Sequence, residues 1–269
     1  MRREIAVIGF IACLGVGLIS GWFIPGLFTA APGTTLVQEI QARGELIVGT
    51  DAPWPPFELF NTTTSTWEGF DVDLSQMVAD ELNVTLTMVN IAFDDLIGAC
   101  KAGTIDMIAA AMMVRDSRAQ ELAHSVTYIR VNEVIVVSGT SSLTITSLDD
   151  LGTQPPEFKV GCQAGTTQYD ALTAIAGLTE GVNLIVYPKA DTLMLNLDSG
   201  GIDAAFVDEP VVSVWAKIYS LKTIFTVPAE PMALWCRWSA PELMMVINKV
   251  ILEAYRDGVM DDLYEKWFS

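Results

Sequence analysis

The residues of this chain best suited to chemistry are Arg118, the pair Thr166-Thr167, Asp208, and the aromatics Trp54 and Phe93. Arg118 stands near the start of a helix expected after Asp116, read as its N-cap. Free N–H groups at a helix start already favour an anion, and a guanidinium there grips a carboxylate at two points. Gly165-Thr166-Thr167 opens a second helix expected to run through Ala171 and Ile175, adding backbone N–H groups and hydroxyls. Asp208 offers an acceptor for an ammonium, Trp54 and Phe93 offer flat apolar faces, and Asp51 lies close by in sequence. Carboxylate grip, ammonium acceptor and aromatic walls together describe a site for a zwitterion, a free amino acid. Taken singly, each residue has a plainer reading: Arg118 as a solvated charge, Asp208 with Glu209 as a helix cap, Trp54 as loop packing. Their joint placement carries the argument.

That placement depends on the elements between them. Glu45 to Thr50 reads as a strand running into the breaker cluster Pro53-Trp54-Pro55-Pro56. Leu74, Met77, Val78 and Leu82 recur at helical spacing over 71–82, a strand follows at 84–89, and a helix at 93–102 is closed by Gly103. Such alternation predicts α/β layers. In open α/β sheets ligands bind beyond the carboxyl ends of strands, so the loops after Thr50, Ala109, Gln163 and Phe206 face the candidate site. Gly103-Thr104-Ile105-Asp106 and Gly200-Gly201-Ile202-Asp203 share Gly-x-Ile-Asp, and Val48-Gly49 is echoed by Val160-Gly161 in the same order. Two ordered echoes predict two lobes of one architecture. An extended run at 128–138 suits a crossover between them. After Asp208 a helix to Tyr219, a strand near 223–227, breakers at Pro228 and Pro231, a strand near 234–238 and two helices are expected. The expected organisation is a membrane segment and linker at 1–36, one lobe of 37–131 plus 232–269, and a second of 132–231. Two chain crossings then make a hinged clamp.

Composition excludes several alternatives. The chain has 269 residues, a formal net charge of −18 and one histidine. Excess acid opposes phosphate backbones, so no nucleic-acid partner is expected. A single histidine and four cysteines without a C-x-x-C pair leave no metal-site spacing, and no cofactor motif is present. Ile5 to Ile24 is continuously apolar after Arg2-Arg3, long enough as a helix to cross the roughly 30 Å of a bilayer core. The positive-inside rule then exports everything beyond Pro25. A retained anchor is favoured over a cleaved signal, since the run exceeds a secretory h-region and lacks a clean cleavage site. Phe10-Ile11-Ala12-Cys13 is only faintly like a lipoprotein site, and Cys13 reads as a membrane-buried cysteine. Cys100, Cys162 and Cys236 permit at most one disulfide outside the membrane. Asn61-Thr62-Thr63 and Asn83-Val84-Thr85 fit the glycosylation pattern without deciding a function.

The motifs resemble one family closely. Gly69-Phe70-Asp71-Val72-Asp73-Leu74, preceded by Asp51-Ala52-Pro53-Trp54-Pro55-Pro56-Phe57, is similar to the signature of the type 3 extracellular solute-binding proteins, the polar amino-acid receptors of ABC importers. Lys101 to Asp106, Arg118, Gln163 to Thr167, Ile202 to Glu209 and Lys266-Trp267-Phe268 fall at family spacing. The resemblance implies a two-lobe, type II periplasmic-binding-protein clamp acting as a monomer and delivering its amino acid to a membrane permease. It implies that Arg118 holds the ligand carboxylate with Thr167, and that Asp208 holds the ammonium with main-chain carbonyls around Ala110 and Ala111. Trp54 and Phe93 would sandwich the side chain, and Asp51 would reach its far end, leaning toward a polar or basic ligand. Met113 departs from the family, where a hydroxyl residue often serves the carboxylate; its backbone N–H remains available. His124 is expected to pack, where the family usually has Phe. The same fold includes dehydratases of the cyclohexadienyl type and sensor modules. Glu58 and Asp94, the nearest candidate acids for a dehydratase, are expected to be solvated, so a binding receptor is favoured over an enzyme.

Overall fold

The computed structural model describes residues 33–269. Helix α1 (Leu36–Arg43) starts at a capping box, Thr35 and Gln38 each serving the other's backbone N–H, and ends on Gly44 in the left-handed region. Then follow β1 (Glu45–Thr50), the hairpin β2 (Leu59–Asn61) and β3 (Thr66–Glu68), α2 (Phe70–Leu82), β4 (Thr85–Asn90), α3 (Leu96–Ala102), β5 (Met107–Ile108), α4 (Asp116–Glu121) and β6 (Ala123–His124). The chain continues through β7 (Ile129–Ser138), β8 (Val160–Gln163), α5 (Thr167–Thr173), β9 (Leu184–Tyr187), α6 (Ala190–Asp198), β10 (Ala204–Asp208), α7 (Glu209–Trp215) and β11 (Leu221–Met232). It closes with β12 (Trp235–Cys236), α8 (Pro241–Arg256) and α9 (Val259–Phe268).

The strands form two mixed sheets, β4-β1-β5-β12-β6 and β11-β7-β10-β8-β9. The chain passes from the first sheet to the second between β6 and β7 and returns between β11 and β12, giving the two crossings expected of a clamp. In the first sheet β1 lies parallel to β4 and β5, and in the second β8 lies parallel to β9 and β10, so within each sheet these strands deliver their carboxyl ends to one side. Helix α8 turns Leu243, Ile247, Val250, Ile251 and Ala254 inward and packs against α1, α2 and α9. Burying each of its larger side chains contributes about 1.5–3 kcal/mol, which holds the C-terminal helices to the first sheet.

The two sequence echoes meet in space. A Cβ on Gly49 would lie 2.4 Å from Ile105 and 3.0 Å from Leu96, and one on Gly161 would lie 2.6 Å from Ile202 and 2.7 Å from Leu193. Each glycine therefore lets the isoleucine of Gly-x-Ile-Asp and a leucine of the preceding helix press onto a strand. The aspartate of each motif then ties the same strand near its start: Asp106 Oδ2 accepts from Ile47 N at 2.9 Å, and Asp203 Oδ2 accepts from Lys159 N at 2.8 Å. The internal repeat is one packing solution used twice.

Several local expectations shift. Pro228 and Pro231 do not break the chain; both lie within β11, an edge strand whose register slips between Thr223 and Phe225 and between Val227 and Glu230. Edge position and bulges are where a strand tolerates a residue with no N–H. The helix after Asp208 ends at Trp215 rather than Tyr219, α5 ends at Thr173 before Ile175, and Asp116 is the first helical residue, with Arg115 as N-cap. Cys100, Cys162 and Cys236 are all free and buried, their thiols pushed up to about 12 by desolvation. His124 is exposed but packs its ring on Trp235, centroids 5.2 Å apart. The apolar run at 5–24 and Cys13 lie outside the described residues. Among the described residues no helix is long and apolar enough to cross a membrane.

Candidate functional site

The loops at the carboxyl ends of the parallel strands line a cleft whose empty space, its solvent-open part included, is about 320 Å³. Its lining contains every expected ligand-contact residue: Asp51, Trp54, Phe93, Ala110, Ala111, Met113, Arg118, Thr166, Thr167 and Asp208. Glu58, Gln163 and Gln168 join them. Residues from the first sheet's loops thus face residues from the second's.

Arg118 is 8% exposed and bridges the two sides: Nη1 donates to Met113 O at 2.7 Å and Nη2 to Gly165 O at 3.1 Å. Its guanidinium lies over the Phe93 ring, 5.3 Å from the centroid. Burial, then Arg115 nearby, lowers its pKa to about 10, which leaves it charged at neutral pH. Thr166 caps α5 by accepting from Tyr169 N at 3.2 Å, while the Thr167 hydroxyl donates to Glu133 and lies 3.3 Å from the Met113 sulfur. The methionine thioether therefore occupies space beside the hydroxyl on the opposite lobe.

Asp208 ends β10 and heads α7, yet its side chain caps nothing. Instead Oδ2 accepts from Trp54 Nε1 at 3.1 Å and Oδ1 from Gln168 Nε2 at 2.7 Å, across the cavity and from α5 respectively. Burial, then repulsion from Glu133, raises its pKa to about 8 despite those bonds. Beneath the cavity wall Asp71 is fully buried; its Oδ2 accepts from Ala111 N at 2.7 Å and from the Tyr128 hydroxyl at 2.9 Å. That carboxylate pins Ala111, held at φ 48°, and with it the stretch 110–113 along the cavity. Desolvation lifts Asp71 to about 7.

Glu58 corrects the expectation of a solvated acid: it is 1% exposed and lines the cavity, because Trp54 N and Glu58 O pair at 2.9 Å and fold the loop inward. Asp94 is exposed, as expected. Gln163 and Gln168 escape sequence reading although both sit beside residues singled out there. The direction of a side chain at a strand end or in a helix's first turn carries no periodic signal. Among the described residues no group of three His, Cys, Asp or Glu could hold a metal ion.

Asp71 and Asp208 carry a pH consequence. Their folded values, about 7 and about 8, exceed the ordinary 3.8, so the folded state binds more protons than the unfolded state between those limits. Stability of the ligand-free protein is then greatest below about pH 4 for these groups and falls as pH rises to about 8. A lower urea midpoint at about pH 8 than at about pH 5 is expected, with a smaller difference in Asp208→Asn; equal midpoints would contradict it.

Two α/β lobes joined by two crossings, with a buried polar cavity between them lined by both, define a solute-binding clamp. Residues 46–269 match the bacterial extracellular solute-binding proteins, family 3, and the chain belongs to that family. It is 28% identical over 237 residues to the histidine-binding periplasmic protein of Salmonella typhimurium, covering 82% of this chain and 86% of that one. An ancestral amino acid-binding protein described as a precursor of cyclohexadienyl dehydratase superposes with a TM-score of 0.77 at 30% identity, covering 88% of this chain and all (100%) of that one. An ancestral arginine-binding protein bound to arginine does so at 0.76 and 31%, covering 84% and 99%.

Proposed function

We propose that this protein is an extracytoplasmic receptor that closes on one free polar or basic amino acid and delivers it to the permease of an ABC transporter. The observation that carries this reading is that Arg118 and Asp208, a buried cation and a buried acid, face one cavity from opposite lobes. In this reading Arg118 takes the α-carboxylate with Thr167 and the Met113 backbone, and Asp208 takes the α-ammonium with the carbonyls of Ala110 and Ala111. Trp54 and Phe93 flank the side chain, and Asp51 stands at its far end. Segments 37–131 plus 232–269 act as one jaw and 132–231 as the other. The ligand docks on the first jaw, and closure brings Thr167 and Asp208 onto it. The periplasmic setting of the relatives and the run of apolar residues after Arg2-Arg3 support work outside the cytoplasm; in this reading the receptor works there as a monomer beside its permease.

Calorimetric titration of the purified protein against the twenty amino acids tests this directly. Saturable heat with at least one is expected, and heat from none would overturn it. Glu58 favours a second reading, a dehydratase, because a buried carboxyl whose pKa desolvation raises is suited to protonating a leaving hydroxyl. Titrating prephenate and arogenate in the same series and following aromatic product decides between them: no product is expected.

A further inference from the structure

The Thr167 hydroxyl is ringed by acceptors. It donates to Glu133 Oε1 and lies 3.3 Å from the Met113 sulfur and 3.4 Å from Gln168 Oε1. A hydroxyl has one proton to give, and an ionised carboxylate outcompetes an amide oxygen or a thioether for it. While Glu133 carries its charge, that proton points into the second lobe and the hydroxyl turns only lone pairs toward the cavity. A ligand carboxylate, itself only an acceptor, then finds no donor at Thr167. Protonation of Glu133 reverses the arrangement: its O–H donates to Thr167 Oγ1, and the hydroxyl is free to give its own proton to the cavity. Glu133 stands behind Thr167, is 2% exposed, and sits in β7 directly opposite Asp208 of β10.

We propose that Glu133 is a positioning residue for the ligand's α-carboxylate: it takes up a proton as the ligand binds and so turns the Thr167 hydroxyl into a donor toward that carboxylate. The inference rests on the amino-acid receptor reading and adds to it a residue outside the cavity lining. In the step one O–H bond forms at Glu133 with a proton from solvent, while the Thr167 hydroxyl keeps its own proton and only rotates about its Cβ–Oγ1 bond. The charged groups that face Glu133 come from three elements: Arg115 and Arg118 at α4, Glu230 on β11 and Asp208 on β10. Burial raises the Glu133 pKa and Glu230 adds to the rise; the Thr167 hydrogen bond and the two arginines oppose it without cancelling it. A carboxylate docked on Arg118 brings a further negative charge beside Glu133 and draws on the field of that arginine, and both effects favour the protonated form. Binding that takes up a proton strengthens as pH falls. Asp208, which must give up its proton to hold an ammonium, has the opposite dependence, so the test compares proteins that share Asp208.

Glu133→Gln supplies the comparison, because a glutamine of the same shape donates to Thr167 Oγ1 at every pH. The probe is whichever of the twenty amino acids gives the tightest saturable heat in calorimetry. The ratio of the wild-type Kd to that of Glu133→Gln is expected near one at about pH 5 and about tenfold or more at about pH 8. Thr167→Val then reports the direction of the hydroxyl. In the Glu133→Gln background it should weaken binding about tenfold at both pH values; in the wild-type background it should do so at about pH 5 and cost far less at about pH 8. An unfolding curve on each variant accompanies the titrations, and a role for Glu133 in packing alone would shift those curves without a pH-dependent Kd ratio. A ratio that does not change with pH, or a Thr167→Val loss at about pH 8 that is equal in both backgrounds, would overturn the proposal. Either result leaves the receptor reading standing, whereas a protein that binds no amino acid loses that reading and this inference together.

Discussion

Replacing Arg118 by alanine is expected to abolish amino-acid binding while leaving the protein folded. Removing one partner of a buried, hydrogen-bonded charge pair costs about 2–5 kcal/mol or more, which lowers affinity by roughly thirtyfold to several thousandfold. Two features place this residue at the upper end. Its guanidinium already reaches Met113 O on its own side and Gly165 O on the other, so in the proposed role it would serve closure as well as the ligand's carboxylate. It also lies over Phe93, whose ring loses that cation in the variant. The fold has less at stake, because Arg118 sits in a six-residue helix at the cavity and belongs to none of the three apolar clusters. Arg118→Lys should fall between, keeping a charge but losing the planar fork that meets two oxygens. Calorimetry with an unfolding curve on each variant checks both halves. A dissociation constant unchanged within about threefold would remove Arg118 from the proposed site.

The largest effect on stability is expected at Gly69. Its φ is 139°, a region open only to glycine in practice, and a Cβ there would lie 2.0 Å from the carbonyl oxygen of Phe57. The contact is with backbone, so nothing flexible can yield. That backbone also caps a helix, since Pro56 O and Phe57 O accept from Phe70 N and Asp71 N, each at 3.0 Å, and so close the exposed start of α2. The loop carrying Trp54 and Glu58 is therefore locked to α2, and α2 carries the Asp71 that pins Ala111. Gly69→Ala must strain the backbone and push the loop away, at a combined cost of roughly 2–6 kcal/mol. Urea unfolding should show a lowered midpoint, with ligand affinity falling in parallel as the loop shifts. A loss below about 1 kcal/mol would mean that the loop relaxes freely and that the Gly-Phe-Asp motif has another purpose.

The legible and illegible parts of this protein divide along a physical line. The strand at 45–50, the helix at 71–82 and the crossover at 128–138 can be read because apolar spacing and glycine positions are local properties of the chain. The repeated Gly-x-Ile-Asp announces two lobes, and the structure supplies the reason: the glycine of each strand admits the isoleucine, and each aspartate ties a strand near its start. The strand prolines mislead because tolerance for a missing N–H depends on whether a strand lies at an edge, which no short window reveals.

For the candidate site, residue types and strand ends point to Asp51, Trp54, Phe93, Arg118, Thr166, Thr167 and Asp208, and the family resemblance adds Ala110, Ala111 and Met113; all ten line one cavity, because ligands in such sheets gather at strand carboxyl ends. What each of them faces is not readable. Whether Asp208 caps α7 or turns to Trp54 and Gln168, and whether Glu58 is solvated or sealed, depends on partners distant in the chain or on how one loop folds back. Asp51 is a free carboxylate on paper and half of an ion pair with Lys189 in the folded chain. The sequence by itself determined the two-lobe α/β clamp, its acidic character and most of the residues around the cavity, since these follow from periodicity, composition and motif order. Only the tertiary structure decided which acids are paired, which are solvated and which are sealed from water. Desolvation and hydrogen-bond competition are set by neighbours that the chain brings together only on folding.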